Sequence, residues 1–308
     1  MEPAAKEQVK QEEKGNLYCL LAATRRIVVL GKTGAGKSSL ANTIFGQTVF
    51  KTDDSPESGT SKCQAETRSV NGRIITWIDT PGFFDTRECE EDMKAEIVRC
   101  ITESAPGPHA FLLVLKIEKF TKQEQDVIKK MQQYFSEKAF KYATVLFTHG
   151  DDLREGQKIE EFVDQSEHVR DLVKKCGGRC HVIDNRYWKE KLKHEYRSNQ
   201  FQVEELLKTI DKMTEANKGG YYTNEMLQAS EKKIQEEERK LSSVDMSKEA
   251  IRQQAKIVFA VLVLNACPGF TTGALLGLFL SEEVLSKTIA SALGVAKGAA
   301  RGAEASPQ

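Results

Sequence analysis

One run of residues restricts this chain more than any other. Gly31-Lys32-Thr33-Gly34-Ala35-Gly36-Lys37-Ser38 fits the pattern G-x-x-x-x-G-K-[ST]. It follows Arg26-Ile27-Val28-Val29-Leu30, a β-branched run suited to a buried strand, and leads into a helix predicted over 37–45. Strand, glycine turn and helix start together make a phosphate cradle. Gly31, Gly34 and Gly36 let successive backbone N–H groups converge on one point, and the helix adds the positive end of its dipole. In that setting Lys37 neutralises phosphate charge, Ser38 offers its hydroxyl to Mg²⁺, and Thr33, Ala35 and Ser39 line the same turn.

The surrounding pattern fits such a motif. Strand-like runs at 26–30, 66–70, 74–79, 110–116, 142–148 and 180–184 alternate with helical patterns at 37–45, 90–103, 121–135, 158–175 and 199–215. Asn71-Gly72 marks a two-residue hairpin. Phe111-Leu112-Leu113-Val114-Leu115 is continuously apolar, as in a strand covered on both faces. The expected fold is therefore α/β: a P-loop NTPase domain with a mostly parallel six-stranded sheet flanked by helices.

Charge and cysteine usage narrow the class. Forty-five basic residues balance 45 acidic ones, so no overall field draws nucleic acid, and no nucleic-acid partner is expected. The seven cysteines are scattered and residues 1–15 are polar, which leads to the expectation of a cytosol-facing protein, free or on an intracellular membrane. Cys176 and Cys180 lack a second pair at zinc spacing.

Further motifs fall at strand ends. Asp79-Thr80-Pro81-Gly82 closes the third strand, where Asp79 can hold the Mg²⁺ shell and the Gly82 N–H can sense a γ-phosphate. Thr60 lies in a polar stretch from which its hydroxyl can reach Mg²⁺. The base is chosen elsewhere. Thr148-His149-Gly150-Asp151 follows the fifth strand, and the Asp151 carboxylate suits the paired N1 and N2 hydrogens of guanine, which adenine lacks. Asn185 follows the sixth strand, where a second base-contacting loop belongs.

The domain reading is a disordered tail over 1–22, the nucleotide domain over 23–217, a charged helical extension over 218–256, and small, polar residues over 281–308. Residues 224–256 read as an exposed helix leaving the domain. Ile257 to Leu280 carries no charged residue, and two readings compete for it: a membrane segment kinked at Pro268-Gly269, which length favours, or an apolar helix packed back on the domain.

These stretches resemble the GTPases of immunity-associated proteins, relatives of septins and plastid-import GTPases. The resemblance rests on residues 31–39, on Asp79 to Thr86, on Phe147 to Leu153, on Asp184-Asn185, and above all on Pro106-Gly107-Pro108-His109, a box that small GTPases lack. It covers about residues 25–230. It implies a guanine nucleotide, GTP or GDP with Mg²⁺, contacted by the loop 31–39, by His149, Gly150 and Asp151, by Asn185 and by Thr52, with Thr60 as a switch threonine. It also implies a homodimer or hetero-oligomer built through the nucleotide domain, and a membrane partner through 257–280. Phe83 stands where Ras-type enzymes have a water-orienting Gln, and Lys119 where some relatives supply an arginine in trans. With Lys37, Thr60 and Lys119 as the catalytic set, slow hydrolysis is expected. A non-hydrolysing, GTP-stabilised scaffold is the alternative, and a P-loop kinase or ATPase fits less well.

Overall fold

The computed structural model describes residues 24–52, 63–80, 90–188, 195–242 and 246–266. Six strands form one sheet in the order β2-β3-β1-β4-β5-β6: β1 (Arg25–Leu30), β2 (Gln64–Val70), β3 (Arg73–Asp79), β4 (Ala110–Lys116), β5 (Ala143–Thr148) and β6 (Cys180–Val182). Only β2 runs antiparallel, joined to β3 through the Asn71-Gly72 turn. The pairs β1–β3, β1–β4, β4–β5 and β5–β6 are parallel. The sheet is thus the mostly parallel one expected, and its strands lie where the hydrophobic runs placed them.

Helices cover both faces. One core gathers Val28, Leu30, Phe111, Leu113, Val145 and Phe147 beneath α2 (Glu90–Ser104) and α3 (Lys122–Phe135). The other gathers Ile27, Val29, Trp77, Leu112 and Leu146 beneath α1 (Lys37–Phe45) and α6 (Asn199–Ala216). Alternate residues of β1 and β4 serve opposite cores, which is why these strands tolerate no polar face. The helix expected over 158–175 is two: α4 (Ile159–Val163) and α5 (Glu167–Lys175). Ser166 separates them in an extended conformation, starting a new helix rather than continuing the old one.

The C-terminal helices correct the sequence reading. The charged stretch does not leave the domain. Helix α7 (Glu225–Leu241) buries Met226, Leu227 and Ile234, and α8 (Lys248–Ala266) buries Ala255, Phe259 and Val263, so both join the α2 side of the core. Their charges are spent on ion pairs. Arg252 meets Glu231 at 2.7 Å and Glu238 at 2.9 Å, and Lys256 meets Glu103 of α2 at 2.8 Å. Composition suggested solvent because pairing across helices is invisible in a linear charge count. The expected membrane segment 257–280 thus begins inside α8, while 267–280 lies outside the described residues; among the described residues no helix is long and apolar enough to cross a membrane.

The Pro-Gly-Pro-His box is the clasp for this extension. His109 accepts a hydrogen bond from the Arg26 N–H at Nδ1 (3.0 Å), and Arg26 Nε donates to the Gly107 carbonyl (2.7 Å). Burial and the nearby Arg26 and Arg25 charges push His109 down to about 3, so it stays neutral and can accept. The Pro108 carbonyl then receives the Tyr222 N–H at 2.8 Å, and the Pro106 carbonyl receives the Thr223 hydroxyl at 3.1 Å. Tyr222 is buried against Phe111, Phe135 and Tyr142. The box therefore sits at the strand-start edge of the sheet, away from the phosphate loop.

A Cβ at Gly107 would lie 1.8 Å from the Tyr222 carbonyl oxygen. Gly107→Ala is expected to lower stability by about 2–4 kcal/mol through this backbone clash. Thermal melting measures the loss, and hydrogen exchange should show α7 and α8 losing protection first. Unchanged melting and protection would contradict the clasp.

Candidate functional site

The strand-end edge of the parallel sheet collects the polar motifs. Beyond β1 the chain turns through residues 31–36 into α1, with Gly36 as its first cap at φ 83°, a conformation that disfavours side chains. A Cβ there would also meet Asn185 Nδ2 at 3.2 Å, and one at Gly31 would meet the Val114 carbonyl oxygen at 2.7 Å. Lys37 is buried and its Nζ donates to the Gly31 and Lys32 carbonyls at 3.0 and 3.1 Å, curling over the loop that it would share with a phosphate.

Ser38 donates its hydroxyl to Asp79 Oδ2 at 2.6 Å. Asp79 is fully buried, and its other oxygen, Oδ1, has no hydrogen-bond partner among the described residues. A buried carboxylate oxygen without a partner is rare and costly. Burial holds Asp79 above the ordinary carboxylate range, against the opposing pull of Lys37 and the Ser38 hydrogen bond. This is the donor set of a hard cation: one hydroxyl, one carboxylate, both oxygen. Mg²⁺ fits it, and Ser38 and Asp79 are the described residues that would hold the ion or its waters.

A cleft of about 930 Å³ opens beside this cradle. Its walls bring together Gly34, Gly36, Ser39, Thr52, His149, Asp151 and Asn185, residues separated by up to 151 positions in the sequence reading. Ala35 is buried beneath the turn, and Thr33 lies on it. Asn42 fixes the way into the cleft near Thr52, accepting from the Val49 and Phe50 N–H groups at 2.7 and 2.9 Å. Thr60 and Gly82 lie outside the described residues.

The base-side loops are tied directly to the phosphate loop. Thr148 is buried and donates its hydroxyl to the Ala35 carbonyl at 2.9 Å. His149, in a left-handed conformation, places a ring nitrogen 3.1 Å from that hydroxyl, and burial lowers its pKa below the usual value. Asn185 accepts from the Thr43 hydroxyl of α1 at 2.9 Å. Gly150 lies so close to the Trp188 ring that a Cβ would approach it to 2.6 Å.

Two lysines named from the sequence have their side chains outside the cleft. Lys32 turns its ammonium away from the cradle, to Glu118 at 2.6 Å and Glu124 at 2.7 Å. Glu124 also caps α3 through Thr121. Lys119 is exposed on the same β4–α3 loop and does not line the cleft. Sequence reasoning missed Thr148, Asp184, Trp188 and Asn199 as site builders. Thr148 and Asp184 carried a signal, the first as the opening residue of Thr148-His149-Gly150-Asp151 and the second as an acid at a strand end before Asn185.

The AIG1 family model matches residues 25–243, most of the chain. The chain belongs to the AIG1 family. It is 34% identical to GTPase IMAP family member 8 of Homo sapiens over 65% of this chain and 29% of that protein. It is 32% identical to Immune-associated nucleotide-binding protein 7 of Arabidopsis thaliana, covering 76% of each. Several AIG1 relatives are longer: the chain spans 29%, 62% and 48% of three of them. Among solved structures, Toc33 from Arabidopsis thaliana in complex with GDP and Mg²⁺ shares the fold at a TM-score of 0.51 and 19% identity, covering 72% of this chain and 96% of that one. The expected AIG1-type P-loop fold, the six-stranded mostly parallel sheet with flanking helices, is thereby shown.

The raised pKa of Asp79 has a consequence for stability. Its ionised form is held worse in the folded chain than in the unfolded one, so the penalty is present above the folded pKa and disappears as pH falls through it. Asp79→Asn should therefore raise the melting temperature of the ligand-free protein at pH 7.5 by a few degrees. A lowered melting temperature would contradict the reading of Asp79 as a carboxylate kept for a cation.

Proposed function

We propose that this chain binds GTP and GDP with Mg²⁺ and uses the nucleotide to control pairing of its nucleotide domains, with slow hydrolysis. The observation that carries this is a single cleft whose walls bring Gly34, Gly36 and Ser39 of the phosphate loop together with His149, Asp151 and Asn185, while Lys37, Ser38 and Asp79 form a cradle on that same loop. The names of the AIG1 relatives, a GTPase and nucleotide-binding proteins, support the reading, as does the GDP and Mg²⁺ bound to Toc33.

Each residue has a part in it. Backbone N–H groups of 31–38 and the start of α1 meet the phosphates, and Lys37 neutralises charge that hydrolysis concentrates on them. When bound, Mg²⁺ supplies further positive charge at the same oxygens. Ser38 and Asp79 hold it, with Thr60 proposed as an additional ligand. Asp151 accepts from the guanine edge, and His149 and Asn185 line the same cleft. Gly82 and Thr52 are proposed as nucleotide contacts. Attachment to an intracellular membrane through 257–280 is proposed on the uncharged run alone.

Base choice is tested by inverting its donors. Asp151→Asn presents an amide where guanine offers its N2 amine. Losing two charge-assisted hydrogen bonds should weaken GDP binding by roughly 100-fold and favour xanthosine diphosphate, whose C2 carbonyl accepts from the new amide. Competitive titration of the two nucleotides measures the change; an unaltered preference would remove Asp151 from the site.

Hydrolysis is expected to be slow because Phe83 cannot orient water and Lys119, exposed outside the cleft, has no guanidinium fork. Turnover of roughly 10⁻³–10⁻² s⁻¹ is expected at low protein concentration. A rise with concentration that Lys119→Ala abolishes would support trans stimulation. No turnover at any concentration would favour the second reading, a GTP-stabilised scaffold, to which Phe83 in the place of a water-orienting Gln and the missing arginine also point.

A further inference from the structure

The loop after β5 and the loop after β6, which face the base, are joined through the Asp184 carboxylate and the Gly150 N–H, which donates to the Ile183 carbonyl at 3.3 Å. Asp184 is 1% exposed. One carboxylate oxygen accepts the N–H groups of Arg186, at 2.8 Å, and of Tyr187. The other accepts the Asp151 N–H at 3.3 Å. Its own backbone is clamped on both sides by Asn199 at the start of α6: the Asp184 N–H donates to Asn199 Oδ1 at 3.1 Å, and the Asn199 amide donates to the Asp184 carbonyl. A buried carboxylate with three backbone donors from two loops is a fixed post.

We propose that Asp184 is the positioning residue of the base site: its carboxylate sets the loop 149–152 against the loop 185–188 and shares with Asp151 the proton that an arriving guanine edge replaces. The proposal rests on the guanine reading given above and deepens it. Its chemistry follows from like charge. Two carboxyl groups within hydrogen-bond reach retain a proton between them. That shared hydrogen bond, then burial and the Asp184 charge, raise Asp151 to about 6. Burial works against ionisation of Asp184, but the hydrogen bonds from Asp151 and from the Tyr187, Arg186 and Asp151 amides outweigh it and hold Asp184 below the usual range. The other charged or titratable groups facing the pair are Asp152, His149, Lys116 and Arg186. Guanine brings two N–H donors to Asp151, so binding releases the proton and is opposed by acid.

The sign is therefore fixed: affinity is full above the Asp151 pKa and falls as pH drops through it. From pH 7.5 to 5.5 a group titrating near 6 loses roughly four-fold of its ionised form, and GDP affinity should fall by about that factor beyond any effect of the nucleotide's own phosphates. The experiment is GDP titration of the full chain at both pH values, for the unaltered protein, Asp184→Asn and Asp152→Asn. The phosphate contribution is common to all three. Asp184→Asn keeps an oxygen for the Arg186 and Tyr187 N–H groups and removes the like charge, so its excess loss should vanish; Asp152→Asn should keep it. An equal excess loss in Asp184→Asn would overturn the proposal. If thermal melting shows that variant unfolded, ¹³C NMR titration of the Asp151 carboxyl in the unaltered protein decides: a step near pH 6 that disappears on saturation with GDP supports the pair, and a step near 4 overturns it. Absence of GDP binding by the unaltered protein at pH 7.5 would instead overturn the guanine reading itself.

Discussion

Parallel pairing of β1 with β3 on one side and β4 on the other is the constraint on which the rest depends. Strands that run together end together, so the turn after β1, Asp79 at the end of β3 and Thr148 at the end of β5 arrive at one edge. The order reverses at β1, whose neighbours lead away in opposite directions, and a crevice opens there for a ligand. Three short bonds then convert neighbouring loops into one site: Ser38 to Asp79, Thr148 to Ala35, and Thr43 to Asn185. Each joins a phosphate-side element to a different strand end.

The site keeps polar groups in states that folding alone would not select. Asp79 is buried with one oxygen unpartnered among the described residues, and Asp151 sits beside a second carboxyl group. Such groups destabilise an empty pocket and favour whatever satisfies them. A cation answers the first and a pair of N–H donors answers the second. One demand lies at the phosphate loop and the other at the loop after β5, and a guanine nucleotide with its metal meets both at once. By contrast, His109 and Arg26 form a satisfied buried pair whose task is structural.

Much of the fold was legible because its signals are local. The apolar run Phe111–Leu115, the Asn71-Gly72 turn and the glycines of the phosphate loop each dictate their own conformation. What escaped depends on distant partners. Helix α7 reads as solvated until Arg252 is placed across from Glu231 and Glu238. The Pro-Gly-Pro-His box marks the family but not its task, since its carbonyls serve Tyr222 and Thr223, more than a hundred positions on. Within the site, the residues that would touch ligand were visible as motifs. Of those that hold them, Thr148 and Asp184 stand inside motifs that do not tell their task, and Asn199 looks like any polar residue at a helix start. The Lys32 side chain was equally illegible: it pairs with Glu118 and Glu124, more than 80 positions on.

The central claim is that one cleft reads both phosphate and guanine. The most direct measurement is calorimetric titration of the full chain with GDP and with ADP, each with Mg²⁺. Both nucleotides offer the same phosphates, and only the base differs. GDP should bind about 100-fold more tightly, the worth of two hydrogen bonds to an ionised carboxylate. Equal affinity for the two would show that the base-side loops around Asp151 do not read guanine, and would contradict that claim.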